Sequence, residues 1–418
     1  MTTRQRRLAI LLLCTTWVGL IAKATPQARE STATSADSTK AAPTPLRPGY
    51  AGDEACARCH HEESLSYSHT AHHLTSQPAN AKTVLGNLHP PGNVLTISNP
   101  QKNPSQPTLF FKTEIKGNAI VQSAVTGWDD HLLTRSEQLD VVTGSGVRGQ
   151  TYLYWQGDRL FELPVSYWTD GHRWVNSPGY IDGTADFSRP INPGCLECHA
   201  SYIRPLSTDS LTNSYDKQSL VTGISCETCH GPGADHVARY SSGAAHPDES
   251  AILNPAKFSR DRQVDACAYC HNGIQRQALA PAFSFVPGKP LTDFFKPLPT
   301  EAAAHPDVHG NQVGLLERSR CYQSSPEISC STCHNTHAPE KTAASYSKAC
   351  LKCHQWTSCG ESKKIGPSIV KNCIDCHMPV EPTNVIVSES AGAVVRAKMR
   401  NHWIKVYPAS QKPGIQTH

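Results

Sequence analysis

Seven times the chain sets two cysteines three residues apart and follows the second with a histidine. The motifs are Cys56-Ala57-Arg58-Cys59-His60, Cys195-Leu196-Glu197-Cys198-His199, Cys226-Glu227-Thr228-Cys229-His230 and Cys267-Ala268-Tyr269-Cys270-His271. Cys330-Ser331-Thr332-Cys333-His334, Cys350-Leu351-Lys352-Cys353-His354 and Cys373-Ile374-Asp375-Cys376-His377 complete the set. Residues three apart on a helical turn share one face. Two thiols so placed can form thioethers to the two vinyl groups of one haem, and the next histidine turns its imidazole to the iron as proximal ligand. A single Cys-x-x-Cys would equally suit thiol exchange or zinc. Seven, each followed by His, suit neither, and chance would supply about 0.03 such motifs at this composition. Close pairs at this spacing also make a poor disulfide framework. The motifs therefore predict seven covalently attached haem c groups.

Each iron needs a second axial ligand. After Met1 the methionines are Met378 and Met399, and Met378 directly follows a proximal histidine, so it cannot reach the far face of that haem. Of 21 histidines, seven are proximal, which leaves fourteen and makes bis-histidine, low-spin, low-potential iron the expectation. His337 lies three residues after His334 on the same side of one turn, so it should serve a neighbouring haem. On an expected helix over 55–74, His69 would lie about 13.5 Å along the axis from His60 and serve another haem or none. The distal candidates read from the residues are His72, His236, His309 and His337. His61 is expected at the surface, His89 and His246 in loops beside proline, and His418 at the end of the chain; His131, His172 and His305 stay open. Cys321 and Cys359 belong to no motif. They pair in a disulfide, stay as buried thiols, or supply one unusual ligand.

Six motifs fall within 183 residues, between Cys195 and His377. That leaves so little polypeptide per haem that the porphyrins should form the core, with short helices and irregular segments around them. The expected fold is mainly α and irregular, with a small β-rich insertion between the first and second motifs. That gap shows strand patterning. Leu109-Phe110-Phe111 and Ile120-Val121 flank a turn at Lys116-Gly117-Asn118, and Thr151–Trp155 and Leu160–Leu163 flank Gln156-Gly157-Asp158. A sheet covering one flank of the array is the favoured reading over a docking surface or a lid.

The amino terminus reads as an export signal over 1–24, with Arg4, Arg6 and Arg7, an apolar run from Leu8 to Ala22, and Ala22-Lys23-Ala24 as a cleavage site. Residues 25–50 read as a disordered tether. Beyond them the expected order is a first haem segment (51–100), the β-rich insertion (101–185), a six-haem domain (186–380) and a tail (381–418). The formal net charge is +4, but without the signal 35 basic face 35 acidic residues. That balance excludes a nucleic-acid footprint, and no later stretch is apolar enough to span a bilayer. Each ferric bis-histidine haem adds about −1 net through its propionates, so the basic residues are expected to be propionate partners.

These residues resemble bacterial multihaem c-type cytochromes of the cytochrome c-554-like family. The likeness runs through Ala51–His60, Cys226–His236 with its Gly231-Pro232-Gly233, Ser319–Tyr322, Cys330–His337 and Cys373–Pro379. It implies that the His after Gly-Pro-Gly and the His after Cys-His-x-x are distal ligands, His236 and His337 here, and it adds His402 before the carboxyl terminus. The haem number departs from the four of the type protein. The reading that results is an exported electron carrier, periplasmic or at the cell surface, with cytochromes or quinol-linked membrane complexes as partners. An oxidoreductase acting on a small nitrogen or sulfur compound at one five-coordinate haem, and a subunit of an extracellular cytochrome filament, are the alternatives.

Overall fold

The computed structural model describes residues 47–242, 251–273, 277–297, 311–339 and 342–408. The expected signal, the tether up to residue 46 and His309 lie outside the described residues.

The fold corrects the expectation of a mainly α and irregular chain: it is mixed and rich in antiparallel strands. The strands are β1 (Ser76–Pro78), β2 (Val94–Ser98), β3 (Thr108–Lys116), β4 (Ala119–Trp128), β5 (His131–Gln138), β6 (Val141–Thr143) and β7 (Gly149–Gln156). They continue as β8 (Arg159–Glu162), β9 (Val165–Trp168), β10 (Arg173–Asn176), β11 (Ala200–Pro205), β12 (Tyr215–Thr222), β13 (Val380–Ser390) and β14 (Ala393–Arg400). One sheet runs β2-β3-β4-β5; a second runs β1-β6-β7-β9-β10 with β8 beside β7; β11-β12 and β13-β14 are hairpins.

Alternating side chains explain the sheets. On β3, Leu109, Phe111 and Thr113 are buried while their neighbours are less so. Tyr152 and Tyr154 of β7 join Phe111, Ile120 and Trp174 in a core between the two large sheets, and Leu153 of the same strand packs with Leu196 and Ile203 on the other side. Strands buried on both faces read as continuous apolar runs. Gln122 stitches the sheets together: its side chain donates to the Val165 carbonyl and accepts from the Val165 N–H, both at 3.0 Å. The β3–β4 and β7–β8 hairpins close over two-residue turns, with Lys116 opposite Ala119 and Gln156 opposite Arg159. The strands reach well past 101–185, from Ser76 to Thr222.

The β13–β14 hairpin lies where the sequence suggested a tail. Its turn is Ala391-Gly392, both at positive φ (53° and 76°), as a twist-matched hairpin turn requires. The Asp182 carboxylate accepts from both backbone N–H groups at 3.1 and 2.9 Å, which holds an alanine in a left-handed conformation.

Helices are short, the longest being Arg260–His271. The single helix expected over 55–74 is broken into Asp53–Ala57, His61–Tyr67 and a 3₁₀ turn at His73–Thr75. His60 sits at φ −104°, ψ 53°, outside the helical region. Further on, the Thr70 hydroxyl bonds back to the Tyr67 carbonyl at 2.7 Å and ends the second piece.

Candidate haem-attachment array

Every motif lies on or beside a helical piece; the fourth closes the helix Arg260–His271 and the sixth starts at the end of Ala343–Cys350, while the others use shorter turns. The N–H of His60, His334, His354 and His377 donates to the carbonyl of the first cysteine of its own motif at 2.9, 2.9, 3.0 and 3.1 Å. This closure puts both thiols and the imidazole on one side of the chain. Asn192 caps the turn Pro193–Leu196 by accepting from the Cys195 N–H. All seven motif histidines and thirteen of the fourteen motif cysteines, Cys59 being the exception, line one continuous cavity of about 3990 Å³.

Four candidate distal histidines lie across this cavity from motif histidines. His236 faces His60 with ring centroids 6.4 Å apart and 22° between planes. His337 faces His230 at 5.9 Å and 27°, and not His334 in its own segment. His402 faces His334 at 6.1 Å and 22°. His72 faces His271 at 5.9 Å and 81°. Rings in van der Waals contact would stand about 3.5–4 Å apart. With metal–imidazole bonds of about 2.0 Å and each centroid a further 1.1 Å or so behind its nitrogen, two imidazoles on opposite sides of one metal ion stand about 6 Å apart. The residues fit the group.

Hydrogen bonding supports the same use. Nδ1 of His230 lies 2.9 Å from the Leu253 carbonyl, Nδ1 of His377 2.9 Å from the Lys405 carbonyl, and Nδ1 of His402 3.1 Å from the Arg400 carbonyl. A carbonyl can only accept, so Nδ1 carries the proton and Nε2 keeps its lone pair for a metal. Nδ1 of His199 is 3.1 Å from Thr75 Oγ1. Burial first, then the adjoining His72, His402 and His334, pushes His271 down to about 4. Burial and then His334 do the same for His402, also to about 4. His236 and His337 are lowered as well, mainly by burial. Neutral imidazole is the ligand form.

Among the described residues, His61, His69, His73, His89, His131 and His172 do not line the cavity, and His246, His305 and His418 lie outside the described residues. His61, His69, His89, His131 and His172 are exposed. Nδ1 of His69, just past the helix His61–Tyr67, is 2.9 Å from the Leu65 carbonyl, and Nδ1 of His172 is 3.4 Å from the Tyr167 hydroxyl. Cys321 and Cys359 are not joined to each other; both line the cavity.

The motifs also touch one another. The Cys56 and Cys226 thiols are close enough to shift one another's acidity, as are Cys267 and Cys330. Cys229 is close enough to Cys267, and Cys373 and Cys333 to Cys350, to shift thiol acidity. The backbone N–H of Cys373 donates to Ser347 Oγ at 2.9 Å, which ties the seventh motif to the helix of the sixth.

Two glutamates inside motifs were not singled out from the sequence. Glu227 is buried and accepts from the N–H groups of Ala51, Gly52 and Gly233 at 2.8, 2.8 and 2.7 Å. It thereby fixes both the approach to the first motif and the loop that leads to His236. Glu197 accepts from the Tyr269 hydroxyl at 2.9 Å and the Phe283 N–H at 3.0 Å, which couples the second motif to the fourth. The signal was there: a carboxylate in a motif that must be packed needs donors when buried.

Residues 172–231 match the family described as cytochrome c554 and c-prime. Over 164 residues the chain is 29% identical to the C-type polyheme cytochrome OmcC of Geobacter sulfurreducens, covering 34% of this chain and 20% of that protein. Over 157 residues it is 27% identical to the C-type polyheme cytochrome OmcB of the same organism, covering 34% and 19%. The matches thus span about a fifth of these curated relatives. In fold the chain is similar to the crystal structure of the outer cell wall cytochrome OcwA. The TM-score is 0.53 at 16% identity, over 85% of this chain and 80% of that one. Among the described residues no helix is long and apolar enough to cross a membrane.

Proposed function

We propose that this chain, a multihaem c-type cytochrome, carries seven haem c groups in its central cavity and passes electrons along them between redox partners. The observation that carries the reading is the set of four histidine pairs spaced about 6 Å apart across a cavity lined by all seven motif histidines. Haem c supplies a one-electron iron couple whose potential is set by axial ligation, hydrogen bonding and burial.

The chain's own residues do the rest. The fourteen motif cysteines attach, the motif histidines ligate from one side, and His236, His337, His72 and His402 ligate the first, third, fourth and fifth sites from the other. His309 is the remaining candidate from the sequence. Divided among seven sites, the 3990 Å³ cavity gives about 570 Å³ each, in the range of a pocket for one cofactor-sized molecule. The porphyrins then form the core of this half of the protein. Thiol neighbours order the sites as first, third, fourth, fifth, sixth and seventh, with the second joined to the fourth through Glu197.

Export to the periplasm or cell surface follows from the expected signal over 1–24 and from covalent haem attachment; the fold likeness to an outer cell wall cytochrome supports it. A pyridine haemochrome assay should return seven haems per chain. Electron paramagnetic resonance of the oxidised protein should show low-spin iron that ignores nitrite and hydroxylamine. A high-spin signal that shifts on adding either would overturn the pure-carrier reading in favour of catalysis.

A further inference from the structure

The two ends of the proposed series of sites differ in charge. Around the first motif, residues 53–63 hold Asp53, Glu54, Glu62 and Glu63 against Arg58. Around the sixth and seventh, residues 342–376 hold Lys348, Lys352, Lys363, Lys364 and Lys371 against Glu361 and Asp375. Asp375 is engaged elsewhere, paired with Arg400 at 2.7 Å. Lys348, Lys363, Lys364 and Lys371 are exposed on short helices that pack against one another, whereas Lys352 is among the residues lining the cavity. Lys352 lies inside the sixth motif, and Lys371 stands two residues before the seventh. Lys348 likewise stands two residues before Cys350, the first cysteine of the sixth motif.

We propose that Lys348, Lys363, Lys364 and Lys371 form the docking surface for a redox protein presenting an acidic face, and that electrons cross to or from it at the sixth and seventh sites. This rests on the haem array proposed above. Four like charges on neighbouring helices raise the local potential and steer an oppositely charged partner, which speeds association more than it deepens affinity. An acidic partner would be repelled from the first site, so the same charges choose which end of the array it meets.

The test uses the holoprotein and flavodoxin hydroquinone, an acidic one-electron donor. Each transfer oxidises the hydroquinone to the semiquinone and reduces one ferric haem. In stopped flow the second-order rate should fall at least tenfold between about 0.01 and 0.3 M salt, as the screening length contracts. K363E/K364E/K371E should lower the low-salt rate at least tenfold and reverse the salt dependence. Reversing Lys112 and Lys116 on β3 should change the rate less than twofold. A salt-independent rate in the unaltered protein would overturn the proposal, and needs no variant. So would a K363E/K364E/K371E protein with an unchanged rate and lowered haem potentials, which would make the lysines propionate partners. Haem content on the same samples separates this outcome from failure of the array itself.

Discussion

His402 offers the sharpest check, because it reaches its site from the far end of the chain. Its ring faces His334 at 6.1 Å, burial keeps it neutral, and its Nδ1 is occupied by the Arg400 carbonyl. The backbone around it is held independently: Ser319 Oγ donates to the His402 carbonyl at 3.1 Å and accepts from the Ile404 N–H at 2.8 Å. His402→Ala should therefore remove a ligand without moving the segment that carries it. One iron of seven, about 14% of the total, should pass from low to high spin. The oxidised protein should then show a high-spin ferric signal integrating to one spin per chain, with haem content unchanged. His402→Met should keep that iron low-spin and raise one potential. His69→Ala, at an exposed ring bonded back to the Leu65 carbonyl, should change neither. The reasoning fails if His402→Ala leaves every iron low-spin, or if more than one iron changes.

Four further outcomes follow from the packing. Glu227→Ala removes three hydrogen bonds to a buried carboxylate; a loss of about 3–5 kcal/mol and high-spin iron at the first site are expected, read by thermal melting and paramagnetic resonance. Gly223→Ala puts a Cβ 2.1 Å from the His73 carbonyl oxygen at φ +69°, beside the Ile224 N–H bond to His72, so the melting temperature should fall and the fourth site should lose its distal ligand. Gln122→Leu leaves the Val165 N–H and carbonyl without their side-chain partner, a loss of about 2–4 kcal/mol in denaturant titration. Glu162 is buried beside Arg189 at 3.1 Å, and burial outweighs that partner to push its carboxyl up to about 7. A raised folded pKa favours the protonated form, so stability is highest below about 4.5 and declines as pH rises to about 7. Glu162→Gln should flatten that decline and stabilise the protein above pH 7 by up to about 3 kcal/mol.

How far the sequence could be read depended on the range of the interaction. The Cys-x-x-Cys-His turns and the two hairpins at Gly117 and Gly157 are local, set by four or five residues each, and the structure has them where the spacing put them. The extent of the β structure was less legible. Val394, Val395 and Arg396 of β14 look like any exposed tail until β13 pairs with them and Asp182, far away in sequence, fixes the turn. The helix over 55–74 failed for a related reason: its periodicity is helical, but His60 leaves the helical region and Thr70 ends the next piece. His337 could be assigned away from His334 by a local face argument, whereas His230 as the ring it meets is a tertiary fact. Glu197 and Glu227 were invisible as positioning groups because their donors lie 72, 86, 175 and 176 residues away.

The pairing pattern has a consequence for assembly. In the proposed array His236 follows the third motif but serves the first, and His337 follows the fifth but serves the third. His72 follows the first and serves the fourth, and His402 follows the seventh and serves the fifth. Every distal ligand found thus crosses to a site other than the one beside it in sequence. Each of these four irons then acts as a cross-link between two segments, and ligation energy becomes folding energy, as it does in small metal-stabilised domains. The two large sheets differ in this respect, since Phe111, Tyr152, Tyr154 and Trp174 give them a core of their own. Chain expressed without haem attachment should therefore keep strand circular dichroism and the protected amides of β3, β4 and β7. Amides from Cys226 to His377 should exchange freely. Equal protection of both halves without haem would mean that the polypeptide alone holds the cavity, and that the ring pairs are a product of packing and not of a shared metal.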